Sequence, residues 1–93
     1  MPARLGITVA HMDSTSYAAA VAANVERAIL GAGLTVPGVA RVTGIPRTTF
    51  ARRLASDGFS PFSVAEVKAI ANAVGTTAAA LTTVYTEPVA AVA

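Results

Sequence analysis

The sequence contains no cysteine and no tryptophan, and only 13% of its 93 residues are charged. Without cysteine, neither a disulfide framework nor a thiolate metal site can be built, and a reducing compartment is the expected setting. His11 is the single histidine, so no imidazole cluster and no metal site are expected. No serine or threonine stands near a histidine–carboxylate pair in a recognisable catalytic pattern. The chain is therefore not expected to be an enzyme, and no cofactor is expected. Long apolar runs are missing as well. The most apolar stretch, residues 17–25, contains Asn24 and runs into Glu26 and Arg27, whereas a spanning helix needs about 20 apolar residues. Arg4 is separated from the alanine run by the polar stretch 11–16, which does not fit a secretory signal. A cytoplasmic chain without membrane attachment is expected.

What is present is alanine and valine, which dominate a hydrophobic content of 54%. Alanine at that density favours helix over sheet, and the length suits one small domain. A chain of this size buries about 60% of the surface it exposes when unfolded, enough for one modest core. The net charge is only +2, but its distribution is uneven. No acid occurs between Glu26 and Asp57, while Arg27, Arg41, Arg47, Arg52 and Arg53 all fall in that interval. A local field of one sign suits a polyanion.

The spacing of apolar residues and caps predicts an all-α fold of five short helices. Residues 1–15 read as an N-terminal arm, in which Ile7 and Val9 could form a short strand. Residues 16–85 read as the domain, and 86–93 as a C-terminal tail. The first helix is expected near Ser16 or Tyr17 behind a serine or aspartate cap, with Val21, Val25, Ala28, Ile29 and Ala32 on its apolar face. Gly31 and Gly33 end it. Thr35 caps a second helix that carries Pro37 in its first turn and reaches about Val42 before Gly44. Pro46 opens a third helix that stops before Asp57-Gly58. Ser63 and Glu66 form a capping box for a fourth, with Val64, Val67, Ile70, Ala71 and Val74 turned inward and Gly75 at its end. A last helix, capped by Thr76 or Thr77, runs through Leu81 and Val84 toward Tyr85. Phe50, Phe62 and Ile45 belong to the core, and Phe59 fits either the core or an exposed loop.

The informative segment is 36–54, VPGVARVTGIPRTTFARRL. Two short helices meet there at a turn containing a glycine. Ala40 is small where the helices cross, Gly44 supplies the positive φ that the turn needs, and Ile45 and Phe50 fill the wedge between them. This is the layout of a helix-turn-helix, whose second helix enters the DNA major groove by its N-terminal end.

Residues 24–81 resemble the lambda-repressor-like family, the Cro and repressor proteins of phages and their bacterial relatives. The likeness is carried by Ala32-Gly33-Leu34, by Ala40…Gly44-Ile45…Phe50…Leu54, and by Pro61-Phe62-Ser63…Glu66…Ile70-Ala71…Val74-Gly75. The resemblance implies a sequence-specific regulator that binds double-stranded DNA, with Arg47, Thr48 and Arg52 reading bases. Thr48 and Arg52 share a helix face. An arginine can hold guanine O6 and N7 together, and a threonine can meet a base edge or a thymine methyl. Thr49 and Arg53 lie further round and, with Thr35 and Arg41, are assigned to phosphates. Two departures from the family pattern stand out. Val36 stands where many members carry a glutamine that braces the base-reading side chain. Ile29 and Leu54 stand where some phage repressors bury an arginine–glutamate pair, an apolar replacement that can be equally stable.

Two other readings of the same residues stay open. One is a protein-interaction module of this fold, such as an antitoxin. The other is an architectural DNA factor with weak sequence preference. Because one recognition helix reads few base pairs, a homodimer is expected, formed through the last helix and the tail.

Overall fold

A computed structural model describes residues 13–84. Five helices follow one another: α1 (Ser14–Gly31), α2 (Val36–Thr43), α3 (Arg47–Ala55), α4 (Val64–Val74) and α5 (Ala78–Thr82). Among the described residues there is no strand. The arm positions Ile7, Val9 and His11, Tyr85 and the tail lie outside the described residues.

Most helix boundaries follow from local capping chemistry. Thr35, Ser63 and Thr77 each accept a hydrogen bond from an amide three residues on, satisfying a donor that the first turn cannot pair. The Glu66 side chain accepts in return from the Ser63 amide, which completes the capping box. Gly44 and Gly75 close α2 and α4 in the left-handed region, at φ 80° and 81°. α1 starts at Ser14, slightly before the expected Ser16 or Tyr17, because Asp13 takes the cap role and accepts from the Ser16 amide at 2.7 Å.

Three expectations about the helices need correction. Ala32, expected on the apolar face of the first helix, is exposed and stands just past its end as the C-cap. The last helix ends at Thr82 rather than running through Val84. The Thr82 and Thr83 hydroxyls donate back to the carbonyls of Ala78 and Ala79. Asn24 on α1 captures the Leu81 and Thr83 carbonyls at 2.9 and 3.0 Å, and Tyr17 donates its hydroxyl to Thr82 O. These contacts tie the end of α5 to α1, and the backbone leaves the helical region at Thr83, with ψ 120°. Val64 was expected on the inner face of α4, yet it is 86% exposed. It is the first residue of α4 and projects past the end of the core, which the helix enters one turn later at Val67. Phe59 is also resolved: it is an exposed loop aromatic.

α1 is the spine of the packing. It contacts the other four helices, α2 packs against both α3 and α4, and α4 packs against α5. Across the break at 32–35, α2 turns 102° away from α1. The core joins Val21, Val25 and Ile29 of α1, Val39 and Ala40 of α2, Ile45 of the turn, Phe50 of α3, Val67, Ile70 and Ala71 of α4, and Leu81 of α5. Leu54 and Phe62 pack half-buried against it, so the apolar pair Ile29 and Leu54 shares one core. No polar side chain is buried among the described residues, and no single helix there is long and apolar enough to cross a membrane.

The α3–α4 loop is fastened to the far end of α1. Asp57 and Gly58 both have positive φ, 55° and 91°, and the Phe59 amide closes the turn on Ser56 O at 3.1 Å. Gly58 lies so close to α1 that a Cβ there would sit 2.0 Å from the Thr15 carbonyl oxygen. Gly31, by contrast, has open space around it and an ordinary helical φ. Gly58→Ala should therefore cost about 3 kcal/mol of stability from combined strain and overpacking. Gly31→Ala should leave stability unchanged or raise it by up to about 1 kcal/mol. The urea denaturation midpoint should fall in Gly58→Ala and hold or rise in Gly31→Ala; a matched shift would refute the close approach at Gly58.

Candidate nucleic-acid interface

α3 divides into two faces along its whole length. Arg47, Thr48, Ala51, Arg52 and Ala55 are exposed, whereas Thr49, Phe50, Arg53 and Leu54 turn toward the protein. The division follows from burying Phe50, which fixes the rotation of the helix about its axis. Phe50 is fully buried and meets Phe62 edge-to-face with ring centroids 5.4 Å apart.

The expected base-reading residues Arg47, Thr48 and Arg52 all lie on the outward stripe. Arg47 and Thr48 border a cleft of about 380 Å³ between α2 and α3, together with Val36, Pro37, Ala40 and Ala51. The alanine between the two arginines leaves the middle of the stripe low, so a ligand surface can approach the helix closely. Over the five residues from Arg47 to Arg52 the helix rises about 7.5 Å, which is roughly two base-pair steps.

The residues assigned to phosphates fare differently. Thr35 and Arg41 are exposed but border a separate depression, with Leu34, Val42 and Ala73, on another side of α2. Thr35 Oγ1 already accepts from the Gly38 amide at 3.1 Å, leaving its hydroxyl proton to donate elsewhere. Thr49 is half-buried.

Arg53 is not an outward arm. Its Nη2 donates to Glu66 Oε2 at 3.2 Å and its Nη1 to Ser60 Oγ at 3.0 Å. Its Nε lies 2.7 Å from Glu66 Oε1 at an angle outside hydrogen-bonding range, so that contact is ionic. The reason is periodicity: position 53 falls on the same side of α3 as Phe50 and Leu54, and the start of α4 presents a carboxylate there. Arg27 is likewise engaged, donating to Asn24 Oδ1. That bond to a neutral amide leaves the charge of exposed Arg27 intact. Among the described residues no ion pair involves Arg27, Arg41, Arg47 or Arg52, so the outward positive charge of this region rests on those four.

Glu66 is the site residue that sequence reasoning missed. It was read as half of a capping box, and nothing local signals that it also holds a side chain thirteen positions earlier. Burial by itself would raise the Glu66 carboxyl, but the Ser63 amide and the Arg53 guanidinium outweigh it and hold the group below the usual carboxylate range.

No group of three histidine, aspartate or glutamate side chains converges in the described residues as a metal site would need. A groove of about 480 Å³ lies away from α3 and is lined by uncharged residues including Tyr17, Val21, Phe62, Val64 and Ala78. Comparison with models of known families, with curated proteins and with solved structures finds no match to this chain.

The depressed Glu66 carboxyl gives a pH test. A carboxylate whose folded pKa lies below its unfolded value adds stability above the unfolded value, near 4.3 for glutamate, and loses it as pH falls through the folded one. Asp13, lowered by its bond from the Ser16 amide, titrates in the same acid window. Stability should therefore be level above pH 6 and fall below about pH 4.5. Glu66→Gln should flatten part of that fall and leave the Asp13 share in place. Thermal melts of both proteins between pH 3 and pH 7 check this, and parallel curves would rule out the linkage.

Proposed function

We propose that this chain is a cytoplasmic, sequence-specific binder of double-stranded DNA, a regulator of the small-repressor type rather than an enzyme. α3 would lie in the major groove and α2 would cross the backbone beside it, as in a helix-turn-helix. The observation that carries the reading is the outward stripe of α3. Two arginines without an ion pair, a threonine and two alanines face solvent there, on a helix held by a buried aromatic and joined to α2 by the Gly44 turn. Arg47 stands at the entering tip and would take guanine O6 and N7, while Thr48 and Arg52 would read the adjacent steps. Phosphate contacts fall to Arg41 and Thr35, with Thr49 donating its hydroxyl from the flank. A homodimer on a two-fold-symmetric site would double the few base pairs that one short helix reads.

The uncharged groove between α1, α4 and α5 is the observation on the side of a protein-interaction module. The two readings part on whether the basic stripe or the groove is indispensable.

Selection from a pool of randomised duplexes should enrich one sequence family. Arg47→Ala should then cost about 1–3 kcal/mol on the enriched duplex and erase the preference at one base pair. Arg41→Ala should weaken enriched and random DNA alike and lower the salt slope by about one. If no sequence is enriched but binding is tight and salt-dependent, the architectural reading replaces this one. If no duplex is bound at all, the interaction-module reading does.

A further inference from the structure

We propose that Glu66, acting through its ion pair and hydrogen bond with Arg53, is a positioning residue that sets the tilt of α3 and so the sequence specificity of its outward face. The inference rests on the reading of α3 as the DNA-reading helix.

α3 is held at few points. It has nine residues and no side-chain cap at Pro46. Its backbone packs against α1 and α2 but not against α4. Its one fully buried side chain, Phe50, sits at the middle, three residues after Arg47 and three before Arg53. At 1.5 Å rise per residue each end lies about 4.5 Å along the axis from that pivot. A rocking motion that lifts the Arg53 end by 1 Å therefore drops the Arg47 end by roughly the same amount. Ile45, buried just before the helix, and Leu54, half-buried against the core beside Arg53, limit this rocking, but apolar contacts are non-directional. Bidentate base contacts tolerate about half an ångström of donor–acceptor distance, so aiming Arg47 calls for a further point of directional contact.

The Arg53 guanidinium supplies the second point. It reaches two different anchors, the Glu66 carboxylate on α4 and the Ser60 hydroxyl of the loop. Both anchors are themselves fixed. Glu66 Oε1 accepts from the Ser63 amide at 2.9 Å, and the Ser60 amide donates to Ser56 Oγ at 2.8 Å. The planar guanidinium fork is what allows one side chain to hold two partners in set directions; a lysine ammonium carries the same charge without that geometry. This separates positioning from a phosphate contact, where lysine and arginine both serve.

The test uses the full chain and the duplex enriched by the wild-type protein. Affinities for that duplex and for random-sequence DNA are measured across a salt series for Arg53→Lys, Glu66→Gln and the double variant. Glu66→Gln keeps an acceptor for Ser63, so the α4 cap survives. Taking the ratio of two duplexes on one preparation cancels any change in the folded fraction. Positioning predicts that each single variant lowers the enriched-to-random ratio about tenfold or more. It also predicts a salt slope equal to wild type and a double variant no worse than the worse single one. An unchanged ratio in Arg53→Lys and in Glu66→Gln overturns the proposal while leaving the DNA reading intact. So does an Arg53→Ala variant that loses about one unit of salt slope equally on both duplexes, since that is a phosphate arm. Failure of the wild-type chain to enrich any duplex overturns both.

Discussion

Burial of Phe50 is the constraint on which the outer surface of this protein depends. The core is built almost wholly from valine, alanine and isoleucine, and Phe50 is its largest fully buried side chain. It occupies the space where α1, α2 and α3 converge, and Phe62 from the next loop closes over it edge-on. Since α3 is a helix of only nine residues, committing position 50 inward also sets 54 inward and 48, 51 and 52 outward, while Arg47 is exposed as the first residue of the helix. The rotation of the candidate interface is therefore a consequence of apolar packing, decided before any of its polar residues is considered.

Packing fixes rotation, and polar contacts fix the rest. Because the core buries no polar side chain among the described residues, the unpaired ends of short helices must be satisfied at the surface. Four helices do this with a side-chain cap at their first turn: Asp13, Thr35, Ser63 and Thr77. α3 lacks one and is instead tied at its other end, through Arg53, into the capping box of α4. α5, only five residues long, is held by donors from α1, with Asn24 and Tyr17 meeting three successive carbonyls. In a chain whose small side chains offer limited hydrophobic gain, such ties across elements let very short helices keep defined positions.

What was legible in the sequence is what local chemistry decides. Thr35, Gly44, Ser63 with Glu66, and Gly75 mark helix ends through contacts spanning three or four residues, and each does so in the structure. The outward placement of Thr48 and Arg52 was legible too, because a period of 3.6 and one buried phenylalanine determine it, and Arg47 was read at the tip of the helix, where it stands exposed. The features that were not legible depend on distant partners. Val64 continues the apolar stripe of α4 by spacing, and only the position of its neighbours reveals that the core stops short of it. The end of α5 is held by Asn24, far back in α1, which donates to the Leu81 and Thr83 carbonyls. Gly58 reads as a helix stop, while its closest neighbour is the Thr15 backbone at the opposite end of the domain. Arg53 was placed further round α3 and assigned to a phosphate, because nothing near it in sequence announces the Glu66 carboxylate that it meets across the fold.

The placement of Arg53 changes the electrostatic argument about the whole face. Five arginines lie in an acid-free interval, but Arg53 is paired with Glu66. The outward charge belongs to Arg27, Arg41, Arg47 and Arg52, and Arg41 borders a different depression from Arg47. On the proposed reading, charge brings the face to DNA, and discrimination falls to geometry: the low alanine centre of the stripe, the arginines at its two ends and the tilt of the helix. A face of this kind gains little from adding basic residues and loses much from loosening α3. That is why the residues that hold α3, Phe50 inside and Glu66 behind it, matter as much to the site as those that face outward.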